Sequence, residues 1–217
     1  MAPPIYKICL LGDGAVGKTA LRERYLGKPF TDDYKMTIGC DIVVKAIDDP
    51  EIGRVNFQIW DLSGQPSFDG VRMAYYSGAA GGVIVFDITR AETFNNTARW
   101  TNHLWRYNGK SKIPIIILGN KVDLRDSVPD SVQPRQGQLL AEELSKISSR
   151  ANFQVQYLET SALTRYHVDE AFMVLGKSIT RFRKARSEKK RVSYDESQKS
   201  LLGISSEDYF KRKNKGL

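Results

Sequence analysis

The chain has 217 residues, of which 41% are hydrophobic and 27% charged. That is room for one domain with a sizeable core plus extra segments, in a composition ordinary for a soluble globular protein. The longest apolar runs, residues 83–86 and 115–118, are far too short to span a bilayer. The opening Met1-Ala2-Pro3-Pro4 has neither the pattern of a signal peptide nor a glycine at position 2 for myristoylation. The net charge of +8 is unevenly placed: residues 181–217 hold twelve Lys/Arg against five Asp/Glu, so the first 180 residues are nearly neutral. A near-neutral body without an aromatic-basic stripe argues against nucleic-acid binding. Cys9 and Cys40 both fall in apolar, strand-like stretches, which points to buried thiols in a reducing compartment rather than a disulfide.

In chain order, residues 5–11 read as a first strand and 20–26 as the opening of a first helix, ended by Lys28-Pro29. Residues 41–47 and 55–60 alternate as two strands joined by Asp48-Asp49-Pro50-Glu51-Ile52-Gly53, a hairpin turn. Residues 82–86 and 113–118 are short, wholly apolar runs, as expected of parallel strands covered on both faces. Between them, residues 92–107 are helical. A further helix is predicted over 134–150, with Pro134 in its first turn. Residues 153–158 form the last predicted strand and 168–186 the last helix, with Phe172, Leu175, Ile179 and Phe182 at helical spacing. This alternation predicts an α/β fold: a doubly wound, mostly parallel six-stranded sheet with helices on both faces. Ligands in such folds sit at the carboxyl ends of the strands.

Gly12-Asp13-Gly14-Ala15-Val16-Gly17-Lys18-Thr19 fits G-x-x-x-x-G-K-[ST] between a strand and a helix. Glycines let successive backbone N–H groups curl into a nest for an anion, and the new helix adds its own free N–H groups and dipole. Lys18 brings a full charge to the β- and γ-phosphates, and the Thr19 hydroxyl is a Mg²⁺ ligand; Ala20 continues the helix against the site. Other segments lie beyond predicted strand ends: Asp61-Leu62-Ser63-Gly64-Gln65, Asn120-Lys121-Val122-Asp123 and Glu159-Thr160-Ser161-Ala162; Thr37-Ile38-Gly39 sits in the loop after the first helix. A carboxylate at a strand end opposite a phosphate nest suits outer-sphere Mg²⁺ binding, which singles out Asp61.

With the phosphate loop, these segments resemble the five signature elements of the Ras-superfamily small GTPases, in the family's order and spacing, over roughly residues 5–180. Residues 34–39, 59–61 and 75–79 look most like the Rab branch. The resemblance implies a GTP-binding domain over residues 1–183 that hydrolyses GTP to GDP with Mg²⁺ as cofactor. Thr37 would supply a second metal hydroxyl when a γ-phosphate closes its loop, and the Gly64 N–H would meet that phosphate. Gln65 would orient the attacking water as the catalytic residue. Asn120 and Asp123 would select guanine through its N1–H and exocyclic amine, the Lys121 stem would pack along the base, and the Ala162 N–H would meet the guanine oxygen. Phe30 would stack edge-on against the base. Tyr34, Ser161 and Leu163 complete the implied nucleotide contacts.

Three departures from the family pattern stand out. Leu163 replaces a usual Lys. Pro66 follows Gln65 and biases it toward extended geometry, which would help or hinder hydrolysis. Ile42 replaces a usual Phe in a cluster with Trp60 and Tyr75 that reports nucleotide state to effectors. The implied partners are effectors, an exchange factor and a GTPase-activating protein that supplies an arginine past Gly14; intrinsic hydrolysis would be slow, in a monomer. A relative that binds nucleotide but hardly turns it over is the alternative, kept open by Pro66.

Residues 184–217 read as a basic, flexible tail. No cysteine follows Cys40, so the prenyl anchor usual in Rab proteins is not expected. Seven basic residues and one acidic one lie in 181–191, and contact with an anionic membrane would add about 1 kcal/mol for each of them. The expected location is cytoplasmic, with peripheral membrane contact through this tail. His103 and His167 have no partner at metal-ligand spacing and read as surface or capping residues.

Overall fold

The computed structural model describes residues 2–31, 36–64, 74–109 and 112–202, with only the backbone for Arg150 and residues 195–202. The described strands are β1 (Ile5–Leu11), β2 (Cys40–Asp49), β3 (Gly53–Leu62), β4 (Gly81–Asp87), β5 (Ile115–Asn120) and β6 (Gln156–Thr160). The helices are α1 (Lys18–Tyr25), α2 (Ala91–Asn95), α3 (Thr97–Tyr107), α4 (Pro134–Ser148) and α5 (Val168–Leu202). One six-stranded sheet runs in the order β2-β3-β1-β4-β5-β6. Every pairing is parallel except β2 with β3. This is the predicted doubly wound α/β fold.

Burial explains the order. Every residue of β4 and β5 is buried, so these strands need cover on both faces and take the middle of the sheet. β2 alternates between half-buried and exposed residues, as an edge strand does. Its turn to β3 is fixed by the Asp49 carboxylate, which accepts the N–H groups of Glu51 (2.9 Å) and Ile52 (3.1 Å). β1 lies between β3 and β4, so the connections leave it in opposite directions. The carboxyl end of β1 is therefore the topological switch point, where a crevice opens.

One core cluster joins Leu10, Val16, Leu21, Phe57, Leu118 and Phe172. The Tyr25 and Phe172 rings stack at 3.9 Å between centroids, fastening α1 to α5. Gly176 lets α5 approach the sheet closely, since a Cβ there would lie 2.5 Å from the Phe57 ring.

Several boundaries differ from those predicted. The fifth strand pairs from Ile115 rather than 113, because Pro114 has no N–H to offer a ladder. The last strand is shifted to Gln156–Thr160; Phe153 and Val155 are buried, but the Val155 N–H goes to the Ser145 hydroxyl at 2.8 Å instead of the sheet. The last helix runs to Leu202 rather than 186, since no Gly or Pro interrupts residues 187–202. The chain divides into two units after Thr180. Among the described residues, no helix is long and apolar enough to cross a membrane.

Candidate functional site

Between β1 and α1 the backbone turns to positive φ at Gly12 (141°), Ala15 (60°) and Gly17 (95°). Space as well as φ demands glycine at two of these: a Cβ on Gly12 would lie 2.1 Å from the Val85 carbonyl oxygen, and one on Gly17 would lie 2.3 Å from Asn120 Nδ2. α1 starts with no side-chain cap and no acidic residue in its first turn. No side-chain cap and no negative charge of the first turn therefore competes with an anion at the positive end of this helix. Lys18, only 6% exposed, donates to the carbonyls of Gly12 (2.9 Å) and Asp13 (2.8 Å). That holds its ammonium across the loop. Val16 is fully buried and Ala20 packs against the same core, while a Cβ on Gly14 would meet open space.

The first turn of α1, the loop before β2 and the end of β3 meet in one corner. Thr19 Oγ1 donates to Asp61 Oδ2 at 2.5 Å. Its single proton is thereby used, so Thr37 donates to Thr19, at 2.9 Å. Asp61 is fully buried, and its Oδ1 has no hydrogen-bond partner. Burial pushes the Asp61 carboxyl above its ordinary range, against the Thr19 hydroxyl and the charges of Lys18 and Arg22. A desolvated carboxylate with an idle oxygen beside two hydroxyls fits a hard divalent cation that keeps some of its water, as Mg²⁺ does. Gly64 lies against the phosphate loop: a Cβ there would be 2.5 Å from the Gly12 carbonyl oxygen and from Asp13 C.

A third corner forms beyond β5 and β6. Asn120 Nδ2 donates to the Val16 carbonyl at 2.9 Å, and its Oδ1 accepts from the Thr160 hydroxyl (3.2 Å) and the Ala162 N–H (3.3 Å). Lys121 stands at φ 69°, turning the chain so that Asp123 follows in a short 3-10 helix, Val122–Ser127. The Ser161 hydroxyl donates to Asp123 Oδ1 and accepts the Thr164 N–H at 3.1 Å. Asp123 is itself exposed, a carboxylate presented at a rim. Phe30 is partly buried against the core, and Leu163 is 49% exposed. The glycine-rich loop, the Thr19–Thr37–Asp61 corner and this third loop all lie at the carboxyl edge of the sheet.

A sequence model of the Ras family matches residues 7–181. The chain belongs to the Ras family. It is 35% identical over 176 residues to the Ras-related protein RABD1 of Arabidopsis thaliana, covering 81% of this chain and 79% of that one. It is 36% identical over 175 residues to the GTP-binding protein ypt2 of Schizosaccharomyces pombe, covering 81% of each. Against the Ras-related protein Rab-13 of Rattus norvegicus it is 34% identical over 175 residues, covering 81% of this chain and 80% of that one. These relatives put it on the Rab branch, as a small GTPase.

Within this Rab-like GTPase, the fold also brings together Ile42, Trp60 and Tyr75. Ile42 pairs with Trp60 across β2 and β3, and the Trp60 and Tyr75 rings lie 5.9 Å apart. Lys7 Nζ sits 3.8 Å over the Trp60 ring. Ile42 and Val44, two residues apart on β2, are both exposed, as are Met36 and Ile38 (76%) in the loop before it. Tyr34 and Gln65, with Pro66, lie outside the described residues.

Sequence reasoning missed several groups that serve the site from a distance. Asp87, at the end of β4, receives Lys121 Nζ (2.7 Å), Arg90 Nε (3.2 Å) and the Thr89 hydroxyl (2.7 Å). Burial alone would push its carboxyl up, but the bonds from Lys121 and Thr89 outweigh that and hold it below the ordinary range. Arg90 also donates to the Gly14 carbonyl at 2.8 Å. Trp100, assigned no role from sequence, is buried in α3, and its indole N–H reaches Asp13 Oδ1 at 2.8 Å; Asn96 holds Oδ2 at 2.7 Å. The contacts of Arg90, Asn96 and Trp100 with the phosphate loop span 76 to 87 residues and leave no local mark in the sequence.

Proposed function

We propose that this protein is a guanine-nucleotide switch that binds GTP and GDP with Mg²⁺ and hydrolyses GTP slowly on its own. The observation that carries the reading is the convergence of Thr19, Thr37 and the idle Asp61 oxygen beside a curled phosphate loop that Asn120 ties to the base-side loop. The N–H groups of residues 14–19 and the Lys18 ammonium hold the β- and γ-phosphates, with Gly12, Asp13 and Ala20 shaping the loop. Thr19 and Thr37 would hold Mg²⁺ directly and Asp61 through water; the ion supplies charge neutralisation at the phosphates.

Asp123 accepts from the guanine N1–H and amine, where adenine has no matching donors. Lys121 and Phe30 flank the base, and Ser161 orients Asp123. Ala162 offers its N–H to the guanine oxygen, exchanging the long bond it makes to Asn120. Tyr34 and Leu163 border the nucleotide, and Gln65 orients the attacking water. The γ-phosphate orders the loops around Thr37 and Gly64, and the Ile42–Trp60–Tyr75 surface transmits that state to effectors. Residues 1–183 form the nucleotide domain, and the basic residues from 184 onward contact anionic membrane. An exchange factor and an arginine-supplying activating protein complete the cycle.

The test is to denature purified protein, identify the released nucleotide, and then follow phosphate release in single turnovers of wild type and Gln65→Leu. Guanine nucleotide in the supernatant and slower release in the variant are expected. Adenine nucleotide, or none with no response to millimolar GDP, would overturn the reading; equal rates would remove Gln65 from it.

A further inference from the structure

Arg22 is a charge in an unusual place. It lies on α1, three residues after Thr19 and four after Lys18, so it faces the same corner one turn deeper. Its side chain is only 5% exposed. Nη1 lies 2.5 Å from Asp41 Oδ2 and 3.7 Å from Asp61 Oδ2. Nη2 lies 2.6 Å from Glu23 Oε1, and Nε is buried without a hydrogen-bond partner. Asp41 and Asp61 stand directly opposite each other across β2 and β3, so one guanidinium sits between two carboxylates on neighbouring strands.

The Asp61 oxygen nearest Arg22 is the one that also takes the Thr19 hydroxyl. A permanent cation and a divalent ion would therefore draw on the same buried carboxylate. Arginine stays charged at any accessible pH, and at this depth its field is weakly screened. Asp41 pulls the guanidinium aside, at 2.5 Å against 3.7 Å, and so sets how much of its charge Asp61 feels. Asp41 lies two residues beyond Gly39, at the start of the strand that follows the Thr37 loop. The same ion pair anchors that loop's far end to α1.

We propose that Arg22 sets the divalent-cation affinity of this site: by sharing Asp61 with the metal it weakens Mg²⁺ binding and loosens the dependence of nucleotide retention on Mg²⁺. This rests on the Mg²⁺–guanine-nucleotide reading above.

The experiment loads the full chain with fluorescent GDP and measures its release rate as free Mg²⁺ is varied, taking the Mg²⁺ midpoint of the transition from fast to slow release. Arg22→Met is expected to move the midpoint roughly tenfold lower, and Arg22→Lys, which keeps a charge but loses the two-pronged hold on Glu23 and Asp41, to move it less. Asp41→Asn frees the guanidinium toward Asp61 and moves the midpoint higher. On top of Arg22→Met, the same Asp41 change moves it much less, because its effect runs through the arginine. A midpoint in Arg22→Met that stays put or rises, with GDP still bound, overturns the proposal. Asp41→Asn keeps the arginine and decides the matter even where Arg22→Met does not fold: a midpoint that stays or falls is equally fatal. Wild type that retains no GDP at any Mg²⁺ concentration overturns the underlying site reading instead.

Discussion

Asn120 and Val16 are 104 residues apart in sequence, and the Asn120 side-chain amide donates to the Val16 carbonyl at 2.9 Å. The bond joins the loop after β5 to the phosphate loop after β1. Its two remaining contacts, from Thr160 and Ala162, bring in the end of β6. One buried amide thus fixes the distance between the loop after β1 and the loops after β5 and β6.

Asn120→Ala should therefore act on both ends at once. Removing the amide leaves the Val16 carbonyl and the Thr160 hydroxyl without their partner in a buried place, a loss of about 1–3 kcal/mol in stability. Thermal melting should show it without added nucleotide, and GDP should restore less of the melting temperature than in wild type. Gly17→Ala attacks the same contact from the other side, through a Cβ 2.3 Å from the amide nitrogen at φ 95°, and should lose nucleotide binding outright.

Asp123→Ala removes the carboxylate that Ser161 orients. Guanine nucleotide affinity should fall by about two orders of magnitude or more, while the weak affinity for adenine nucleotide stays level. Competition titrations of GDP and ADP against a fluorescent nucleotide check this; unchanged discrimination would remove Asp123 from base selection.

Gly64→Ala puts a methyl group 2.5 Å from the backbone of Gly12 and Asp13. That space is closed by main chain rather than by a movable side chain, so the loop of Gly64 has to back away. Affinity for a non-hydrolysable GTP analogue should drop by roughly tenfold more than affinity for GDP, since only the former has the phosphate that Gly64 would meet. Equal losses would show that Gly64 serves packing alone.

Asp87 gives a pH signature. Its folded-state carboxyl is held below the ordinary range, so it contributes stability that is present above the unfolded-state value and is lost as the pH falls through the folded one. Asp87→Asn should flatten the acid limb of the stability curve below about pH 5 and lower stability at pH 7. Denaturant titrations across that range give the slopes.

Cys9 is fully buried, and burial pushes its thiol up to about 12. Burial likewise raises Cys40, to about 11. Since the thiolate is the reactive form, neither should alkylate appreciably at pH 8 in the folded protein, and both should do so in denaturant. Mass spectrometry before and after unfolding reads this directly.

What the sequence determined by itself was the set of short segments in which every contributor is a near neighbour. Glycines at 12, 14 and 17, with Lys18 and Thr19 behind them, predict the anion nest because chirality and the i-to-i+4 rise of a helix act over a few residues. Wholly apolar runs at 82–86 and 113–118 predict central parallel strands for the same kind of reason: their composition is incompatible with water on either face. The paired loops 120–123 and 159–162 were legible as a unit through resemblance, by their order and spacing. Element ends were less so, as the shift of the last strand to Gln156–Thr160 shows; hydrophobicity marks burial at Phe153 and Val155, not which N–H enters a ladder.

Only the tertiary structure decided which distant side chains lean on the site. In sequence, Arg22 is one basic residue on a helix; antiparallel register sets Asp41 opposite Asp61, and that register turns it into a charge lodged between two carboxylates. Trp100 and Asn96 reach Asp13, and Arg90 reaches Gly14, because α2 and α3 follow β4, which lies beside β1. Such contacts depend on strand order and helix rotation, which sum over the whole chain, and no window of neighbouring residues contains them.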